Sequence, residues 1–196
     1  MAVILDNGHG GVIGGQYQTP GKRSPGWKLG VLYEGMFNRW IVNRLIERLD
    51  RAEIPYYHVS PELTDVPLAE RVKRANAFSK ADPGSFLLSV HANAGGGTGF
   101  EVFTSKGQTK SDPIAETIVD QLVASCPGHK LRADTSDGDR DREADFYVLR
   151  ETKCPAVLVE VAFMDSEEDY RKLWDSEFCD SVVEGLFNAI VQLQEG

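Results

Sequence analysis

Three runs of this chain read as strands buried on both faces, and the stretches between them carry apolar residues at helical spacing. Ala2-Val3-Ile4-Leu5, Ser85-Phe86-Leu87-Leu88-Ser89-Val90 and Ala156-Val157-Leu158-Val159-Glu160-Val161-Ala162-Phe163 lack the regular alternation of a strand with one wet face. Such strands belong in a largely parallel sheet covered on both sides. The helical stretches supply the cover. Over residues 34–52, Phe37, Ile41, Leu45 and Leu49 recur every fourth position, with Val42 and Ile46 beside them. Leu68, Val72, Ala75 and Phe78 form a second stripe over residues 68–81, and Ile114, Ile118 and Leu122 a third over residues 112–125. A short helix over residues 167–174 and a longer one over 176–194 close the chain. Weaker strand patterns lie at residues 56–60, 100–104 and 146–149. Strands alternating with helices imply βαβ units. The expectation is one α/β domain over residues 1–196, with a twisted, mostly parallel sheet of about six strands between two helical layers. A chain of 196 residues suits one sizeable core.

Polar residues in apolar positions mark where chemistry can sit. His9 follows the first strand through Asp6-Asn7-Gly8, and His91 follows the strand that ends at Val90. Parallel strands place their carboxyl ends on one edge, where open α/β sheets bind ligands, so the two imidazoles can meet. Glu34 opens the helix that leaves the His9 loop, and its carboxylate faces the side that helix buries. Two histidines and a glutamate form the ligand set of a catalytic zinc, which keeps a further position for water. Glu160 is a carboxylate inside an apolar strand, a costly placement unless it is paired or functional. Beside a metal it could accept a proton from water and pass it on. Plainer readings stay open. Glu34 could simply favour the positive end of a helix dipole, and Glu160 could pair with an arginine such as Arg150.

Other classes are disfavoured. A net charge of −9 lacks the basic footprint that nucleic acid needs. Cys126, Cys154 and Cys179 are an odd set without a Cys-x-x-Cys pair, which argues against a disulfide framework or a thiolate zinc site. Gly-x-Gly-x-x-Gly fails at Ile13, and neither Gly-x-Ser-x-Gly nor His-Glu-x-x-His occurs. No apolar run approaches membrane-spanning length. His58 and His129 read as structural or exposed. The glycine-rich stretch 10–31 is long for a connection within a domain and suits one wall of a groove. Residues 133–145, rich in Asp, Arg and Gly, read as a solvated surface loop.

Four blocks in order resemble the zinc-dependent N-acetylmuramoyl-L-alanine amidases, a family of bacterial autolysins and phage endolysins. They are Asp6-Asn7-Gly8-His9-Gly10-Gly11, Glu34 at a helix start, Ser89-Val90-His91-Ala92-Asn93, and Pro155-Ala156-Val157-Leu158-Val159-Glu160. Phe146-Tyr147-Val148-Leu149-Arg150 is similar to that family as well. The resemblance implies a fold like that of zinc peptidases and one zinc ion per chain, bound by His9, Glu34 and His91. It also implies Glu160 as catalytic acid and base, and cleavage of the amide between N-acetylmuramic acid and L-alanine of peptidoglycan. Asn93 and Arg150 are expected substrate contacts. Two positions depart from the family: Asn7 replaces Ala, expected to be harmless in a turn, and Ala162 replaces Gly, expected to narrow the cleft floor. The glycines around His9 then read as room for a metal and a bulky glycopeptide. With no basic stretch ahead of the first strand, a signal peptide is not expected. The chain is expected to be a monomer made in the cytoplasm that acts on the wall after release, as phage or prophage lysins do. No separate wall-binding domain is expected. A carboxypeptidase-like zinc hydrolase and a non-catalytic wall-binding relative are the alternatives.

Overall fold

The computed structural model describes residues 1–195. Its centre is a six-stranded sheet in the order β4-β1-β5-β8-β6-β7. β1 (Val3–Asn7), β4 (Tyr56–His58), β5 (Phe86–Asn93) and β8 (Ala156–Phe163) run parallel. β6 (Glu101–Thr104) runs antiparallel to β8, and β7 (Arg142–Glu143) follows the direction of β6. The α/β reading therefore holds, with two reversed strands on one flank.

Alternation along the strands assigns the two faces. Val3, Leu5, Leu88, Val90, Val157 and Val159 point to one side, where they join the stripes of α1 (Glu34–Arg51), α3 (Asp112–Ser125) and α6 (Ser176–Glu195) in the larger core. Ile4, Leu87, Ala156 and Leu158 point to the other side. There α2 (Leu68–Ala81) and α4 (Tyr147–Glu151) cover them through Val72, Ala75, Val148 and Leu149. Each fully buried Leu or Ile contributes ~1.5–3 kcal/mol, so the larger layer carries most of the stability. The smaller layer packs against the amino-terminal half of the strands. Beyond it, on the same face, lie Asp6, Ser89, His91 and Glu160.

β1 leads through α1 to β4 on one side, and the chain then returns through α2 to β5 on the other. The boundary between β1 and β5 is thus the switch point of the sheet, where a crevice opens at the strand ends. α5 (Glu167–Leu173) turns the chain from β8 into α6.

Four expectations change. Residues 146–149 are not a strand: Tyr147–Glu151 is one short helix, because Val148 and Leu149 have a core to meet on the α2 face. The strands β1 and β5 do not stop at Leu5 and Val90 but continue to Asn7 and Asn93. Asn7 therefore stands in the sheet and not in a turn, fully buried, with its side-chain oxygen against His58 Nε2. Ala162 is fully buried in the larger core and does not floor the cleft.

The glycine-rich stretch is ordered by its own contacts. β2 (Val12–Ile13) and β3 (Gln16–Tyr17) form a small hairpin. Gly14 and Gly15 both take positive φ there, +56° and +79°, as a tight hairpin turn needs. Residues 133–145 are not merely solvated. Asp141 is 3% exposed and accepts a hydrogen bond from Thr104 Oγ1 at 2.6 Å. Arg140 is clasped by Glu116 and Asp120.

Candidate active site

His9 sits just beyond β1 with φ of +70°, a left-handed conformation that histidine tolerates better than a branched residue does. The turn around it is held from several sides. Asn38 Nδ2 donates to the Gly8 carbonyl at 2.9 Å, and Gly11 N–H donates to the Leu63 carbonyl at 2.7 Å. Gly10 N–H donates to Thr19 Oγ1 at 2.9 Å, and that hydroxyl donates to Asp65 at 2.7 Å.

The glycines serve this packing, which corrects their reading as room for substrate. A Cβ on Gly8 would stand 2.0 Å from the His91 ring, and one on Gly35 would stand 2.0 Å from the Gly10 carbonyl oxygen. Their bare backbones let the imidazole and the start of α1 close on the same point. That start is fastened by the glycine-rich stretch: Glu34 N–H donates to the Lys22 carbonyl at 3.0 Å, and Gly35 N–H to the Tyr17 hydroxyl at 2.9 Å. These bonds satisfy amide donors that the first turn of a helix leaves without partners.

Glu34 is 2% exposed, and its Oε1 lies 2.9 Å from His91 Nδ1 and 3.2 Å from His9 Nε2. The two imidazoles stand perpendicular with centroids 5.0 Å apart. One donor atom from each of the three residues lies within 4.8 Å of the others. Glu34 Oε2 is buried without a hydrogen-bond partner. Two neutral-capable imidazoles and a carboxylate, converging with one buried carboxylate oxygen unpartnered, fit a single divalent cation of the zinc type. Burial pushes the Glu34 carboxyl upward, but the hydrogen bonds and charges of both histidines outweigh it and hold it far below the usual carboxylate range.

Beneath the cluster lies a buried polar network. Asp6 accepts from Ser60 Oγ and Ser89 Oγ at 2.8 Å each, and from Arg71 at 3.3 Å. Burial raises the Asp6 pKa less than Arg71, His91 and the two hydroxyls lower it, so the carboxylate is charged. Burial alone would depress His91, but the Glu34 hydrogen bond and the charges of Glu160, Glu34 and Asp6 raise its pKa.

Glu160 stands directly beside His91 in the sheet, and Glu101 of β6 directly beside Glu160. Residues opposite each other on neighbouring strands share a face, so His91, Glu160 and Glu101 form one row. Glu160 Oε2 is buried without a hydrogen-bond partner. Burial, the largest influence, pushes its pKa up to about 7, aided by Glu34 and Glu101 and opposed by His91 and Lys22. A carboxyl poised near neutrality can both take and return a proton.

The structure thus brings His9, Glu34, His91 and Glu160 together. It does not bring Arg150 to them: that exposed guanidinium is held by Asp145 at 2.8 Å and by Glu151 at 2.9 Å. The alternative pairing of Glu160 with Arg150 is therefore absent. Asn93 sits at the end of the site but spends its side chain locally, donating to Glu101 at 2.6 Å and accepting from Ala94 N–H at 2.7 Å. Sequence reasoning missed Glu101 and Lys22. Glu101 carried the same signal as Glu160, a carboxylate between Phe100 and Val102 in an apolar run, and it is 5% exposed. Lys22 gave no signal, since only folding brings its charge to Glu160.

Comparisons with known proteins place the chain in a family. Residues 3–192 match the family described as N-acetylmuramoyl-L-alanine amidase. The amidase CwlM of Bacillus licheniformis is 34% identical over 127 residues, covering 65% of this chain and 46% of that protein. An endolysin of Bacillus phage SPP1 is 32% identical over 198 residues, covering 97% of this chain and 65% of that protein. The chain thus aligns with about half to two thirds of the length of these relatives. A crystal structure of an N-acetylmuramoyl-L-alanine amidase from Clostridium difficile 630 superposes with a TM-score of 0.78 at 26% identity, covering 100% of this chain and 97% of that one. With the match running from the first strand almost to the end of the last helix, the chain belongs to the N-acetylmuramoyl-L-alanine amidase family.

Proposed function

We propose that this chain is a peptidoglycan hydrolase that cleaves the amide between the lactyl group of N-acetylmuramic acid and L-alanine of the stem peptide. In this reading His9, Glu34 and His91 hold one zinc ion, and Glu160 is the general base and then the general acid. The observation that carries it is the three-donor cluster standing directly beside Glu160, whose buried Oε2 has no hydrogen-bond partner. The family membership supplies the substrate.

Zinc in this cluster would supply Lewis-acid polarisation of the carbonyl and a more acidic water. The chain does the rest. Glu34, stripped of solvent and fixed by both imidazoles, holds the cluster's negative charge in place. Asp6 keeps a second, fully buried charge below His91. Glu160, next to His91, accepts a proton from the attacking water and returns it to the departing amine of L-alanine. Its unpaired Oε2 leaves one oxygen for that exchange. Action on the cell wall follows from this substrate. No helix among the described residues is long and apolar enough to cross a membrane.

The test separates binding from chemistry. Glu160→Ala is expected to keep zinc and lose turnover of purified cell wall, whereas His9→Ala and His91→Ala are expected to lose the metal. A Glu160→Ala protein that digests wall at the normal rate overturns the assignment of the acid and base. A carboxypeptidase-like hydrolase would free amino groups other than that of L-alanine.

A further inference from the structure

The row of His91 and Glu160 ends on Glu101, and Glu101 holds two cations that the reaction above does not use. Its Oε1 accepts from Arg132 Nε at 2.9 Å and lies 3.4 Å from Arg142 Nε, and its Oε2 accepts from Asn93 Nδ2 at 2.6 Å. Arg132 is therefore fixed through its Nε edge, and Arg142 is paired with the same oxygen by charge. Among the described residues neither gives a terminal Nη to any acceptor of the chain.

The charge balance at this point differs from that at three other arginines. Arg74, Arg140 and Arg150 are each matched by two carboxylates: Glu62 and Glu70, Glu116 and Asp120, and Asp145 and Glu151. At the site two guanidiniums share one carboxylate. Lys22, whose charge also reaches Glu160, forms no ion pair among the described residues. Asp134 is exposed and feels the charge of Arg142 without pairing with it.

The two arginines are also built in. Their planes are backed by rings, with Arg132 Cζ 5.2 Å from the Phe163 centroid and Arg142 Cζ 6.0 Å from that of Phe103. Each is about one-third exposed, at 33% and 35%. Arg142 stands opposite Phe103 in the β6–β7 pair, on the same face as Glu101 and Glu160. A guanidinium held by Nε, with free Nη atoms and an aromatic floor, is preorganised to grip a carboxylate in two-pronged fashion.

We infer that Arg132 and Arg142, anchored on Glu101, form a carboxylate-binding subsite for the peptide side of the substrate. This rests on the amidase reading above and deepens it. Cβ atoms of directly opposed residues are roughly 5 Å apart, and an extended residue spans ~3.5 Å. A carboxylate one or two residues beyond the scissile amide is therefore within reach of the pair. The second stem residue, a glutamate joined through its side chain, offers such a carboxylate when it is not amidated. The chain selects stem peptides with this carboxylate free over those in which it is a carboxamide.

Two muropeptides that differ only at this group test the inference. The quantity read is the ratio of kcat/KM for the free acid to that for the amide. Wild type is expected to prefer the acid by about tenfold or more, as one good charged contact allows. In Arg132→Gln/Arg142→Gln the ratio falls toward one. In Arg132→Lys/Arg142→Lys, which keeps charge but loses the fork, it is intermediate. Partial misfolding lowers both rates alike and leaves the ratio unchanged. Equal use of both substrates by wild type, or a preference that survives in the double glutamine variant, overturns the inference. If wild type frees L-alanine from neither substrate, the amidase reading has failed, and equilibrium binding of the same pair decides the subsite. A preference for the acid that the double glutamine variant loses supports it, and equal affinities overturn it.

Discussion

Replacing Glu160 with Gln in metal-free protein is expected to make the protein more stable, and only above a definite pH. Burial is the main reason the Glu160 pKa is raised, from 4.5 to about 7. The difference, 7 − 4.5, is about 2.5 units, and at 1.36 kcal/mol per unit it comes to ~3 kcal/mol. Because the folded pKa is the higher one, the folded state holds the proton more tightly than the unfolded state. The associated stability is full below pH 4.5 and is lost as pH rises to about 7. Glutamine mimics the neutral acid at every pH. Urea unfolding of chelator-treated protein should therefore show the two forms nearly equal at pH 4 and the variant ahead by ~3 kcal/mol at pH 8. Zinc should shrink the gap at pH 8, since a nearby cation lowers a carboxyl pKa. A gap of the same size at both pH values, or a variant less stable at pH 8, would refute the claim that Glu160 is a desolvated, unpaired acid. The substitution that removes the proposed base should thus stabilise the fold, a cost of function borne by the native chain.

Two further outcomes follow from particular contacts. Gly8→Ala puts a methyl group where the His91 ring stands, 2.0 Å away; zinc affinity, read by competition with a chelating dye, should fall by at least tenfold, and an unchanged affinity would show that His91 is not held against Gly8. Burial pushes the His58 pKa down to about 4, well below its ordinary 6.5. Its contribution to stability is present above pH 6.5 and lost as pH falls toward 4. Acid unfolding of His58→Gln should be less steep across that window, and an identical slope in both proteins would show that His58 is not buried neutral.

The sheet and its helices could be read from the sequence because the signals were redundant. Three apolar runs and several four-residue stripes each demanded the same layered core. The candidate site could be picked out for a related reason: His9, His91, Glu34 and Glu160 are polar groups in places where burial makes polarity costly, and the fold brings them together. What escaped was set by partners distant in sequence. Tyr147–Glu151 is too short for periodicity to tell helix from strand, and its Val148 and Leu149 join a core with Val72 and Ala75 of α2 that lie far away in sequence. Asn7 looked like a turn residue because Asp-Asn-Gly is a turn signal, yet pairing with β5 carries the strand through it. The charges of residues 133–145 looked solvated because nothing local shows that Arg142 meets Glu101 or that Asp141 meets Thr104.

The most direct measurement is digestion of purified peptidoglycan with and without a chelator, followed by mass analysis of the products. The expected result is new amino groups on L-alanine, intact glycan strands without new reducing ends, loss of activity on chelation and its recovery with zinc. New reducing sugars, cleavage elsewhere in the stem peptide, or full activity in the chelated protein would contradict a zinc amidase built on His9, Glu34, His91 and Glu160.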